Sequence, residues 1–207
     1  VDMELFHPEV DGAALREDAG IAPDQKLVTL PGALVEKKGT RFFLEAAARL
    51  GRERDDLHFW IVGRGSREAA LRELCAKLGI AGHVAFLGQR SDMPAIYAAS
   101  NLVVCASIKG EGLTGTLREA LAMARPVVTT DVAGNTELVE EGQTGYVARP
   151  GDAASLAEAI ARALSDEAEA RRRADAGRRR VLDWCTEEVR SARVEGLYRR
   201  VMEFSHR

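Results

Sequence analysis

Apolar residues along this chain gather in short runs, and the segments between the runs repeat their apolar positions every three to four residues. The runs predict strands at Leu27–Leu30, His58–Val62, Val84–Leu87, Leu102–Cys105 and Val127–Thr130, with a short one at Tyr146–Val147. The periodic segments predict helices from about Lys38 to Leu50 and from about Ser66 to Leu78. Further helices are predicted at Pro94–Ala99, Thr116–Met123 and Ala153–Leu164. From Asp166 onward the pattern is helical and highly charged. Strands that are apolar throughout, rather than alternating with polar residues, are covered on both faces, which indicates parallel β-α-β units. The predicted fold is therefore α/β: a doubly wound open parallel sheet, Rossmann-like, with its ligand at the carboxyl ends of the strands.

The 207 residues with 46% hydrophobic content are enough for one proper core. A net charge of −3 gives none of the clustered basic excess that nucleic-acid binding needs, so no nucleic-acid partner is expected. Cys75, Cys105 and Cys185 lack CxxC spacing and read as small buried hydrophobes in a reducing compartment, without a disulfide or a zinc site. No apolar run approaches a bilayer span, and the opening VDMELFHPEVDG lacks the form of a signal peptide. These features predict a soluble, cytoplasmic chain. The arginine runs Arg171–Arg173 and Arg178–Arg180 leave peripheral contact with the inner face of a membrane open, although a solvated charged face is their commoner meaning.

The unusual residues fall at the carboxyl ends of the predicted strands. The first strand ends at Pro31-Gly32 and leads to Glu36-Lys37-Lys38-Gly39, the second ends in Gly63-Arg64-Gly65-Ser66, and the third in Gly88-Gln89-Arg90. The fourth runs into GEGLTGTLREAL, where Glu111 and Glu119 bracket the glycines Gly112 and Gly115. Two carboxylates suit a ligand rich in hydroxyls, while glycines and a helix N-terminus suit phosphate. Together these describe a nucleotide sugar. Each residue also has a plainer reading: Thr116 to Glu119 fits a capping box that only secures the helix start. Lys38 and Arg64 could be solvated turn residues, and Asn135 a turn former.

Gly32…Lys38-Gly39, IVGRG at 61–65, VAFLGQ at 84–89 and EGLTGTLREAL…RPVVTTDVAG…E at 111–137 resemble the family 4 retaining glycosyltransferases, the glycosyl transferases group 1. The resemblance covers nearly the whole chain but only the carboxyl-terminal, donor-binding half of that family's two-domain GT-B fold. It implies an interdomain linker at residues 1–25, a nucleotide-sugar-binding domain at 26–185 and a closing helix at 186–207. An amino-terminal acceptor domain is implied as the missing partner, leaving this chain inactive alone. The apolar stripe Val194, Leu197, Tyr198, Val201 and Phe204 is expected to lie partly against it.

Carried over by position, the resemblance gives Lys38 to the donor diphosphate, with the turn Gly63-Arg64-Gly65, Gly32, and the amides of Gly112, Leu113, Thr114, Gly115 and Thr116. Glu119 would hold the ribose hydroxyls, and the backbone near Val84 and Gly88-Gln89 would read the base. Glu111 would face the transferred sugar and, with Lys38, be catalytic. No metal and no cofactor are implied, because lysine, amides and helix dipole would neutralise the leaving diphosphate. Ala33 stands where the family usually has a second cation, an arginine, which Arg64, Lys37 or Arg90 could replace. Ala124 takes the place of a glycine, and Ala133 and Thr136 of a glycine and a proline. A catalytically inactive nucleotide-sugar binder and a flavodoxin-like regulatory or interaction domain are the rival readings.

Overall fold

The computed structural model describes residues 1–205 apart from 53, 111 and 113, with backbone alone at 203–205. Six strands make one parallel sheet: β1 (Lys26–Pro31), β2 (Leu57–Val62), β3 (Val84–Gly88), β4 (Leu102–Cys105), β5 (Val127–Thr130) and β6 (Tyr146–Ala148). Their order across the sheet is β3-β2-β1-β4-β5-β6. Succession therefore reverses between β1 and β4, which pair through Val28↔Leu102 and Thr29↔Val103. A crevice opens at such a reversal, and it is where open α/β sheets take their ligands. The flavodoxin-like order, 2-1-3-4-5, is not the one observed.

The helices between strands are α2 (Thr40–Leu50), α3 (Glu68–Lys77), α4 (Met93–Ala99) and α5 (Gly115–Ala122), and with α6 (Ala153–Ser165), which follows the last strand, they cover both faces of the sheet. On one face Phe43 of α2 meets Phe59 of β2 edge-on at 5.8 Å, beside Leu30, Ile61 and Ile160. On the other, Leu117 and Leu121 of α5 pack with Val103 and Val127. Double coverage explains why the central strands are apolar without alternation. Every predicted strand and helix is present. The first helix starts at Thr40 rather than near Lys38, because a short 3-10 turn occupies Glu36–Lys38 and Gly39 breaks it with φ 67°.

Residues 1–25, read from sequence as a linker, lie against the sheet domain and include a short helix, α1 (Ala13–Asp18). Arg16 donates to the carbonyls of Ala99, Ala22 and Gln25, and Phe6 sits 6.1 Å from the Tyr97 ring. Helix α7 (Glu167–Trp184) is capped by Asp166, whose side chain accepts from Glu169 N–H at 2.9 Å. Helix α8 (Glu187–Ser205) follows, and its Val194, Leu197, Tyr198 and Val201 are all exposed. Phe204 of that stripe lies outside the described side chains. No described helix is long and apolar enough to cross a membrane.

Candidate functional site

The carboxyl ends of β1 and β2 are built backbone against backbone. Gly63 has φ 141°, and a Cβ placed there would lie 2.0 Å from the Gly32 carbonyl oxygen. Gly32 N–H donates to Val62 O at 2.8 Å, and Gly63 N–H donates to Gly88 O at 2.7 Å. Gly65 is equally confined, since its Cβ would meet Leu34 O at 2.3 Å. Glycine is required here because only a residue without Cβ permits this approach. The result is a low floor of peptide groups at the sheet reversal.

Above this floor is a cleft of about 380 Å³. Gly32 and Ala33 line it from the loop after β1, Gly63 and Arg64 from that after β2, Gln89 and Arg90 from that after β3, and Thr116 and Glu119 from α5. Residues distant in sequence thus share one crevice, as the sequence reading requires of a ligand site. Lys38 stands at its edge, with its stem 3.9 Å from where a Gly32 Cβ would be. The lysine turn is held in place from below: a Cβ on Gly39 would meet Ala106 O at 1.9 Å, and Ile108 N–H donates to Lys37 O at 2.8 Å.

Helix α5 starts at Gly115 with Thr114 as its N-cap, and among the described residues no side chain caps it. The capping-box reading of Thr116 and Glu119 is therefore overturned. Glu119 lies too deep in the helix to close such a box, and its Oε2 instead accepts the Tyr97 hydroxyl at 2.8 Å. The first amides of α5 are left for an acceptor other than a side chain, and the helix dipole adds positive potential there. Thr114 is buried at this end, with its Oγ1 unpartnered. Gly112 is exposed, whereas Glu111 and Leu113 lie outside the described residues.

Val84 is not brought to the cleft. It opens β3, at the far end of that strand from Gly88, and lines another hollow with His58 and His83. A residue at a strand's amino end cannot face a ligand held at the carboxyl ends, so any base contact from β3 falls to Gly88 and Gln89. Sequence reasoning also missed Tyr97, which is fully buried in α4 yet is among the residues lining the cleft. Burial, then the charge and hydrogen bond of Glu119, push its pKa upward, so it remains a donor. Its signal was available: a buried tyrosine hydroxyl needs a partner.

Of the cations that could replace the arginine absent at Ala33, Arg90 is engaged by Asp92 through Nε at 2.8 Å. Arg64 makes no ion pair among the described residues and lies beside Gly88. The basic runs of α7 are largely engaged within the chain. Arg172 and Arg173 bind Glu169, Arg178 donates to Ala122 O, and Arg180 pairs with Glu140. The three cysteines are free and buried. Among the described residues no group of acidic, histidine and cysteine side chains could hold a metal.

Comparison with known proteins gives one consistent result. Residues 11–180 match the family model described as "Glycosyl transferases group 1". The chain is 34% identical over 160 residues to alpha-D-kanosaminyltransferase of Streptomyces kanamyceticus, covering 76% of this chain and 41% of that protein. It is 31% identical over 206 residues to a GDP-mannose-dependent alpha-(1-6)-phosphatidylinositol monomannoside mannosyltransferase of Mycolicibacterium smegmatis, covering 95% of this chain and 54% of that one. The chain thus spans about half the length of the curated relatives it matches.

Among solved structures, Anabaena HepE in complex with UDP superposes with a TM-score of 0.88 at 25% identity, over 96% of this chain and 55% of that one. The carboxyl-terminal domain of the group 1 glycosyl transferase LpcC from Francisella tularensis superposes with a TM-score of 0.80 at 25% identity. That match covers 90% of this chain and 99% of the domain. The chain belongs to the glycosyl transferases group 1, and its fold is that of the carboxyl-terminal half of a GT-B glycosyltransferase.

Proposed function

We propose that this family member is the donor-binding half of a retaining glycosyltransferase that moves a sugar from a nucleoside diphosphate to a hydroxyl of a glycan or lipid-linked acceptor. One observation carries the reading: Glu119, Arg64 and the glycine floor converge in a single cleft at the sheet reversal. A carboxylate in reach of cations and free amides suits a ligand with both hydroxyls and phosphates. Complexes of HepE with UDP and with UDP-glucose support a nucleotide-sugar donor here.

In this reading Glu119, steadied by Tyr97, accepts hydrogen bonds from ribose hydroxyls. Lys38, Arg64 and the first amides of α5 take the diphosphate and stabilise it as it leaves. Glu111 faces the transferred sugar, a role assigned from family resemblance. The acceptor binds in an amino-terminal half, against which the exposed stripe of α8 packs. Closing the two halves excludes water and aligns the acceptor hydroxyl, so this chain alone turns over no sugar.

A thermal-shift screen with UDP-, GDP- and ADP-sugars tests this reading. The matching donor raises the melting temperature by binding only the folded chain. Transfer assays with the complete enzyme then separate an active transferase from a silent binder. No shift with any nucleotide sugar would refute the donor-site reading.

A further inference from the structure

At the opposite end of the sheet, where the strands begin, a second hollow of about 380 Å³ opens between the start of β5 and helices α6 and α7. Lys26, Arg125, Arg171 and Asn101 line it, together with Glu167 and Asp175. Three cations thus face two carboxylates, so the hollow is net positive before any ligand enters.

Arg125 is the unusual member. Its Nε is buried without a hydrogen-bond partner, and no carboxylate pairs with its guanidinium among the described residues. Burial and the nearby Arg171 charge both act against its protonated form, yet a guanidinium does not give up its proton in a protein. The charge therefore persists uncompensated. Lys26 and Arg171 each stand 3.7 Å from Glu167, within ion-pair range but beyond a good hydrogen bond. Asn101 Oδ1 accepts from Arg16 Nη1 at 3.0 Å and from Leu27 N–H at 2.8 Å, which leaves only its donor nitrogen for the hollow.

We propose that this hollow is a second anion site, with Arg125 as its central contact and a phosphate group as its ligand. Its position at the amino ends of the strands separates it from the donor cleft, so it does not depend on the transferase reading. Donors outnumber acceptors there, and the half-buried Arg125 guanidinium, which no carboxylate neutralises among the described residues, offers a phosphate charge-assisted hydrogen bonds. The volume admits a free phosphate or a phosphorylated sugar.

The test is a titration of the 207-residue chain, labelled at its arginine nitrogens, with inorganic phosphate in one arm and a hexose phosphate in the other. The Arg125 Nε–H resonance should shift and saturate. Tighter binding of the hexose phosphate would identify a sugar phosphate as the ligand, and equal binding would identify the free anion. Arg125→Gln should weaken binding about ten-fold or more, while Glu167→Gln, which removes a competing carboxylate on the rim, should tighten it. Arg64→Ala, in the other cleft, should leave it unchanged. Should Arg125→Gln fold poorly, the wild-type resonance and Glu167→Gln still decide. An Arg125 signal that ignores both phosphates, or equal affinity in all variants, would overturn the proposal.

Discussion

Tyr97 donates its hydroxyl to Glu119 Oε2 at 2.8 Å, tying helix α4 to helix α5 at the wall of the cleft. The bond sets where the Glu119 carboxylate points, and its second oxygen lies 3.3 Å from where a Gly115 Cβ would stand. Tyr97→Phe keeps the ring in the core but removes the donor. The variant should lose about 1–2 kcal/mol of stability and bind nucleoside diphosphate several-fold more weakly. Denaturant melts and calorimetry check this, and unchanged nucleotide affinity would deny Tyr97 a positioning role.

Arg64 and Arg90 flank the same cleft with different commitments. Arg90 is held by Asp92, whereas Arg64 has no ion-pair partner among the described residues. If Arg64 replaces the cation absent at Ala33, Arg64→Ala should weaken diphosphate binding about ten-fold and Arg90→Ala far less. Equal losses would place the second cation elsewhere.

Ala124 occupies a left-handed position, φ 51°, directly after helix α5. Ala124 N–H donates to Leu121 O and Arg125 N–H donates to Ala120 O, the pair of bonds that closes a helix when its last residue is left-handed. Glycine is preferred there because it lacks Cβ. Ala124→Gly should therefore stabilise the chain by about 1 kcal/mol, read from the denaturant midpoint. A neutral or destabilising result would show that the strain is relieved elsewhere.

His58 is partly buried, with Nε2 unpartnered and the His83 ring 6.1 Å away. Burial first, then the charges of His83 and Arg16, push its pKa below 6.5, with Asp56 opposing. Below pH 6.5 the unfolded chain takes up a proton that the folded one resists. Stability from this group is thus full above that pH and falls as the pH drops through the depressed folded value. Melting curves from pH 8 to pH 5 should show the loss, and His58→Val should reduce it.

The parallel sheet was legible in the sequence because double burial leaves apolar runs that only a covered parallel sheet explains, whereas the strand order depends on pairing that no run encodes. The glycines at 39, 63 and 65 stood out because close backbone contact admits no other residue there, and Gly32 because its φ of 147° favours glycine. Glu119 was legible as a candidate together with its rival capping-box role, but that role required Thr116 as N-cap, and the observed N-cap is Thr114, two residues earlier. Tyr97 could be flagged only as a buried hydroxyl in need of a partner, because the partner itself lies 22 positions away, a contact that periodicity does not encode. Val84 was misplaced by one strand length, as a motif read as a block hides which end of a strand faces the ligand.

The most direct measurement is calorimetric titration of the wild-type chain and its Glu119→Gln variant with UDP, GDP and ADP. One nucleotide should bind the wild type, and the variant should bind it about ten-fold more weakly with little change in melting temperature, because the amide keeps the size and loses the charge that strengthens ribose hydrogen bonds. Equal affinity of both proteins, or no binding of any nucleotide, would contradict the assignment of the cleft to a nucleotide-sugar donor.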